Sequence, residues 1–259
     1  MLIPFIKMNA QGNDFVILNY FHEVPQIEDP AGFAAEVCDR HFGVGADGLV
    51  ILKPCADADA QMIIFNSDGS RAEMCGSALR CVSSLLLQTT SETTVDILTD
   101  SGLKHASMEQ ELITVNLGKP ILLQQEMPVD IFKGDLVDIG NPHYIVFQED
   151  ISDDPHLKFG SMLEHHPDFE APVNVHFVQV LNGSAIRMKI WEHACGATLA
   201  CGTGAASAVF AGISRGMLDS SVEVEVPGGT LFISTTANGQ FLLTGTVTMN
   251  FRGTYLWRT

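Results

Sequence analysis

Short apolar runs with a two-residue rhythm dominate the chain. IIF (63–65), TVDIL (94–98) and ITVNL (113–117) occupy the first half, and IRMKIW (186–191), VEVEV (222–226) and GTLFIS (229–234) the second. Their alternation and β-branched content predict strands. Three stretches break the rhythm and predict helices. AGFAAEVCDRHF (31–42) stops at Gly43, and ALRCVSSLLLQ (78–88) and AASAVFAGISRGM (205–217) follow two similar cysteine segments. In the last, Ala205, Ala208, Val209 and Ile213 share one helical face, and Gly212 and Gly216 weaken its end. Clusters of Gly, Asn, Asp and Pro separate the runs as turns. The pattern is that of an α/β (α+β) chain.

The two cysteine segments look alike. Cys75 and Cys201 lie 126 positions apart, and at that offset MIIFNSDGSRAEMCGSA (62–78) overlies MKIWEHACGATLACGTG (188–204) without a gap. Met62 falls on Met188, Phe65 on Trp191, Asn66 on Glu192 and Cys75-Gly76 on Cys201-Gly202. Gly102 falls on Gly228. Upstream the offset becomes 128, with Gly12-Asn13 on Gly140-Asn141 and GADGLVIL (45–52) on VNVHFVQV (173–180). One such match is weak, and two unrelated α/β halves can share a strand rhythm. Several matches in one order predict two homologous domains, 1–122 with a tail at 249–259, and 123–248.

Composition narrows the partners. A 46% hydrophobic and 17% charged chain of 259 residues is ordinary globular protein, which excludes disorder and collagen. Fourteen Lys and Arg against 31 Asp and Glu leave a formal charge of −17, which repels nucleic acid and anionic membranes but not a small zwitterion. No run approaches the ~18–20 apolar residues of a membrane span. MLIPFIKMNAQGNDF lacks the basic and long apolar regions of a secretory leader. The expected compartment is the cytoplasm, with the six Cys as thiols.

Cys75-Gly76-Ser77 and Cys201-Gly202-Thr203 each precede a helical stretch, where Ser or Thr suits the N-cap and the first-turn N–H groups favour an anion. A thiol there is expected to have a lowered pKa. With one such thiol per domain facing across a pseudo-two-fold cleft, one takes a proton from a carbon while the other delivers one from behind, inverting its configuration. Cys38, Cys55 and Cys81 read as small buried apolar groups. Two other chemistries remain open. Cys75/Cys81 and Cys195/Cys201 are both C-x5-C, a poor match to zinc spacing, so no metal is assigned. A Cys/His hydrolase using His143 or His193 leaves the second Cys-Gly motif unexplained.

KMNAQGNDFVIL, DRHFGVGADGL, FNSDGSRAEMCG, GNPHYIV, VNVHFV and WEHACGATLACGTGA follow one another as in the diaminopimelate epimerase family, which the chain resembles over nearly its whole length. The resemblance implies two domains, each a β-barrel-like sheet around a central helix, with the active site in a cleft between them. It implies a homodimer without cofactor that converts LL- to meso-diaminopimelate for lysine and peptidoglycan synthesis. Cys75 and Cys201 then correspond to the catalytic bases, and His143 and Glu192 to residues that tune them. Asn13, Asn66, Asn141 and Asn174 match substrate-binding asparagines, and Gly76-Ser77 and Gly202-Thr203 the donors to the reacting carboxylate.

The chain also departs from that pattern. Ser77 and Ala78 stand for Asn and Gly, and His193 and Ala194 for the Arg-Gly whose Arg binds the distal carboxylate. Losing a bidentate charged contact costs about 1.5–3 kcal/mol. Phe251 stands where the family often has a dimer-interface Tyr. His193 therefore keeps a substrate-binding assignment, while a racemase for another amino acid and a non-catalytic amino-acid-binding protein stand as alternatives.

Overall fold

The computed structural model describes residues 1–258. In chain order these form β1 (Leu2–Ala10), β2 (Asn13–Asn19), α1 (Pro30–Cys38), β3 (Gly48–Lys53), β4 (Ala60–Asn66), β5 (Arg71–Ala72), α2 (Gly76–Leu87), β6 (Thr94–Thr99), β7 (Gly102–Glu109) and β8 (Leu112–Gly118). There follow β9 (Ile121–Val129), β10 (Phe132–Asp138), β11 (Pro142–Phe147), α3 (Pro155–Glu164), β12 (Asn174–Asn182), β13 (Ala185–Glu192), β14 (Gly196–Ala197), α4 (Gly202–Ser214), β15 (Ser221–Val226), β16 (Gly229–Thr235), β17 (Phe241–Gly245) and β18 (Thr248–Leu256). Among the described residues no helix is long and apolar enough to cross a membrane.

The chain divides into two compact units. One comprises Met1–Val115 and the stretch from Thr246 onward, the other Asn116–Gly245. Pairing of β9 with β10 draws residues 121 and 122 into the second unit. In the first unit the strands run β18-β1-β2-β3-β4-β6-β7-β8, with β5 against β4; β2–β3 and β4–β6 are parallel and the other pairs antiparallel. The second unit repeats this strand for strand as β9-β10-β11-β12-β13-β15-β16-β17, with β14 against β13, and β11–β12 and β13–β15 parallel.

A parallel pair needs a crossover, and each of the four has a helix in it. The two helices of a unit cover opposite faces of its sheet. α1 packs on β3 and β4, and α3 on β12 and β13. α2 touches β1, β2, β4, β6 and β7, and α4 touches β10, β11, β12, β16 and β17, so each is the central helix of its unit. Enclosure explains their composition. Gly202 through Val209 are all buried, so in place of the single buried face expected from Ala205, Ala208, Val209 and Ile213 the first two turns of α4 are buried all round.

Register corrects the alignment at two places. Leu49 pairs with Phe65 and Val175 with Trp191, so residues 48–52 correspond to 174–178 at an offset of 126, not 128. Thr99 pairs with Gly102 and Val226 with Gly229, so the counterpart of Gly102 is Gly229, not Gly228. Strand pairing admits no half-steps, whereas apolar alternation looks the same after a two-residue slip. The first helix is also shorter than its sequence suggests. Asp29 caps it through Gly32 N, but Asp39 leaves the helix with ψ 125° and turns its carboxylate onto the N–H groups of His41 and Phe42.

Candidate active site

Each central helix begins at one of the repeated cysteines. Cys75 and Cys201 are themselves the N-caps, in extended conformation, and Ser77 and Thr203 lie buried in the first turn rather than capping it.

At the start of α2, the half-buried Cys75 thiol donates a long bond of 3.8 Å to Asn13 Oδ1. Asn13 begins β2, and its Nδ2 donates to Asp47 Oδ2 at 2.8 Å. Asp47 also accepts from Asp14 N and from Arg40, the latter at 2.7 Å. Burial pushes the Asp47 carboxyl up. Burial opposes ionisation of Asp14 too, but Arg40 and Lys7 outweigh it and hold Asp14 low. Beneath the thiol lies Arg80, fully buried. Its Nη1 donates to Gln11 Oε1 at 2.7 Å and to Thr246 O at 3.2 Å, while Nε, Nη2 and the nearby Ser77 Oγ have no hydrogen-bond partner. Burial brings Arg80 down to about 10, so it remains a cation at neutral pH. Asn66 ends β4, with Nδ2 donating to Ser70 Oγ and its backbone N to Ser70 O, which closes the 67–69 turn.

At the start of α4, Cys201 is 3% exposed, accepts from Gly204 N at 3.3 Å and lies 3.5 Å from Thr203 Oγ1. Its pKa is not lowered as its helix position predicts. Burial, and then the Glu192 carboxylate, push it well above the usual thiol range, against the weaker pull of Thr203 and Gly204 N. Cys201 is therefore a thiol in this state. Glu192 ends β13, and Thr198 Oγ1 donates to its Oε1 at 2.5 Å.

Behind Cys201 stand two buried histidines. His143 Nε2 lies 3.0 Å from Asn141 Oδ1, and His143 Nδ1 lies 2.9 Å from His176 Nε2. A carbonyl oxygen only accepts, so His143 carries its proton on Nε2 and receives the His176 Nε2–H at Nδ1. Burial pushes His143 well below the usual range and His176 down to about 3, so both rings are neutral at pH 7. Gly204 makes room for them: a Cβ there would lie 2.4 Å from His176 Nε2 and 3.1 Å from Cys201 Sγ.

Asn174 works at both ends, donating from Nδ2 to Pro142 O and accepting from His193 N at 3.1 Å. His193 is half-exposed. Its Nδ1 donates to Glu164 Oε1 at 2.7 Å, and that carboxylate also accepts from Ala194 N and Trp191 Nε1. Burial opposes ionisation of Glu164, but these donors hold its pKa below the ordinary value.

The structure thus gathers Cys75, Gly76, Ser77 and Asn13 at one helix start, and Cys201, Gly202, Thr203, Glu192, His143 and Asn141 at the other. Asn66, Asn174 and His193 support or flank turns beside them. Sequence reading missed His176, Asp47, Arg80 and Glu164. A histidine in the apolar run VNVHFV was the available signal for the first. The others are ordinary charged residues until their partners are known. Cys38 and Cys81 are buried as expected, whereas Cys55 is only partly so.

The model of the diaminopimelate epimerase family matches residues 5–123 and 136–250. A diaminopimelate epimerase of Carboxydothermus hydrogenoformans is 38% identical over 272 residues, covering 98% of this chain and 99% of its own. One of Desulforudis audaxviator is 40% identical over 254 residues, covering 89% and 91%. Among solved structures, a hydroxyproline epimerase from Agrobacterium vitis superposes with a TM-score of 0.73 at 18% identity, covering 98% of this chain and 92% of its own. A Bacillus anthracis protein of the phenazine biosynthesis PhzF family gives 0.75 at 14% identity, covering 99% and 100%. At these identities the two structures speak to the fold alone.

Proposed function

Since the chain belongs to the diaminopimelate epimerase family, we propose that it is an isomerase that inverts an amino-acid α-carbon, converting LL- to meso-diaminopimelate, with Cys75 and Cys201 as its acid–base pair. The observation that carries this reading is the duplication itself: one cysteine at the N-cap of the central helix in each of two units with the same strand order. The first-turn N–H groups at Gly76-Ser77 and Gly202-Thr203 receive the substrate α-carboxylate, and its charge is favoured at a helix start.

One sulfur, as thiolate, takes the α-proton and becomes a thiol. The other, as thiol, gives its proton to the opposite face of the carbon and becomes a thiolate. The reverse reaction exchanges the roles, and no metal or organic cofactor enters either step. Glu192 and His143 act through Cys201. Glu192 touches the thiol and resists its ionisation, while His143, fixed by Asn141, stays neutral beside it. Asn13 meets Cys75 with its amide oxygen because Asp47 takes its nitrogen.

His193 favours a second reading on one specific ground. Its Nδ1 is committed to Glu164, so it offers one nitrogen where the family offers a two-pronged guanidinium. A racemase acting on an amino acid without a distal carboxylate fits that site. We further propose a homodimer in the cytoplasm, consistent with six free cysteines.

In D2O, the reduced protein should place deuterium on the α-carbon of LL-diaminopimelate ahead of any common L-amino acid, followed by NMR. Preferred exchange of another amino acid moves the substrate and keeps the mechanism. Undiminished inversion by Cys75→Ala or Cys201→Ala would falsify the two-thiol scheme. Light scattering tests the dimer.

A further inference from the structure

His143 Nδ1 and His176 Nε2 lie 2.9 Å apart, a ring nitrogen of each histidine and Cys201 Sγ all lie within 4.8 Å of one another, and all three side chains are buried. The surrounding bonds suit them to a role beyond proton transfer. His143 already has the arrangement of a metal-ligating imidazole: its far nitrogen donates to a fixed carbonyl at Asn141, leaving the Nδ1 lone pair facing the cluster. His176 has a buried Nδ1 without a hydrogen-bond partner. Moving its proton from Nε2 to Nδ1 keeps the ring neutral and supplies a second lone pair. Loss of the Cys201 proton supplies a thiolate. Glu192, in hydrogen-bonding contact with that thiol, stands at a fourth position.

Two imidazoles, a thiolate and a carboxylate form a donor set suited to Zn(II). The first unit has no counterpart. Register places Phe15 where His143 stands and Val50 where His176 stands, leaving Cys75 without imidazole neighbours from those positions.

We infer that His143, His176 and Cys201 form a binding site for a zinc-class divalent cation, with Glu192 or water completing it, and that its occupation withdraws Cys201 from catalysis. Binding exchanges one thiol proton for the metal, so one proton is released per ion. With Glu192 bound, the cation's two charges are balanced by one thiolate and one carboxylate. The binding is independent of the proposed reaction, and the inhibition rests on it.

The test uses the full reduced chain freed of metal by a chelator. Co(II), the spectroscopic probe, should bind at one equivalent, with a near-ultraviolet thiolate-to-metal band that Zn(II) abolishes. The band should vanish in Cys201→Ser. In His176→Leu the zinc concentration that halves each variant's own inversion rate should rise by about 100-fold. If His176→Leu does not fold, His143→Gln serves in its place, and proton release on zinc addition provides a measure without any variant. Cobalt binding without a thiolate band, a band that survives Cys201→Ser, or zinc inhibition unmoved in a folded histidine variant overturns the site. A full cobalt band in a protein that inverts no amino acid keeps the site and removes the proposed reaction instead.

Discussion

The starts of α2 and α4 are built from one repeated backbone and surrounded by opposite chemistry. Both have a cysteine N-cap followed by glycine, so the helix contributes nearly the same field to each sulfur. Beneath Cys75 lies a buried guanidinium whose hydrogen bonds go to a neutral amide and a carbonyl. The corresponding position in α4 is Ala206. Against Cys201 lies a carboxylate, Glu192, where the first unit has the neutral Asn66. Behind Cys201 are two neutral histidines, where the first unit has Phe15 and Val50. The side chains, and not the helix starts, therefore make one end hospitable to negative charge and the other hostile to it.

The largest expected effect tests the packing side of this contrast. A methyl at Gly204 meets His176 Nε2, whereas its counterpart Ala78 has a methyl already. Gly204→Ala should destabilise the protein by about 2 kcal/mol through overpacking. Ala78→Gly should cost about 1 kcal/mol through helix propensity alone. Chemical denaturation of both variants measures the difference, and equal losses would remove His176 as its cause.

Next is the turn beside each site. His193 and Ala194 are held by Glu164 at the end of α3, while the first-unit turn is closed locally by Asn66 and Ser70. Glu164→Gln should cost about 1.5 kcal/mol at pH 7 by weakening charge-assisted bonds. The folded-state pKa of Glu164 lies below its ordinary 4.5, so the carboxylate's contribution is present above that value and fades as pH falls through the folded one. The gap between wild type and variant should therefore narrow below about pH 4.5. A gap of constant size from pH 7 to pH 3.5 would remove the charge from the explanation.

Electrostatics and burial together give the third. Cys75 should react with iodoacetamide about tenfold faster than Cys201, with the sites identified by peptide mass mapping. Arg80→Met should reduce that ratio. Faster labelling of Cys201 would reverse the ordering of the two sulfurs.

The smallest effect concerns Ala194, held at φ 62° in a turn where the first unit has Gly69 at φ 85° in its own. Ala194→Gly should relieve left-handed strain and raise stability by about 0.5 kcal/mol after the glycine's entropic cost. Unchanged or reduced thermal stability would show that the turn accommodates the methyl.

The repeat was legible because it rests on residue identity at fixed spacing, as with Cys75 and Cys201 or Met62 and Met188. The six β-type runs likewise fall inside strands. What could not be read from one dimension was the environment of each side chain. The low pKa expected at Cys201 assumed a helix start facing water, and its burial reverses the sign. His176 was one letter in an apolar run until the β12 register set it beside His143. The two-residue slip over 45–52 arose because alternation repeats every two positions, and only hydrogen bonds between strands distinguish the frames.

The pairing of β1 with β18 constrains how the protein is made. From Leu2↔Leu256 to Asn9↔Thr248, β1 takes as its edge partner β18, a strand made only after the whole second unit. The second unit is encoded wholly between them and can be completed first. At about 5–20 residues per second, β1 waits on the order of tens of seconds for β18. During that interval it presents an unpaired edge of mostly apolar residues to a crowded cell. The older half of the polypeptide is therefore the later one to mature, and its exposure to chaperones is set by the length of the half inserted within it.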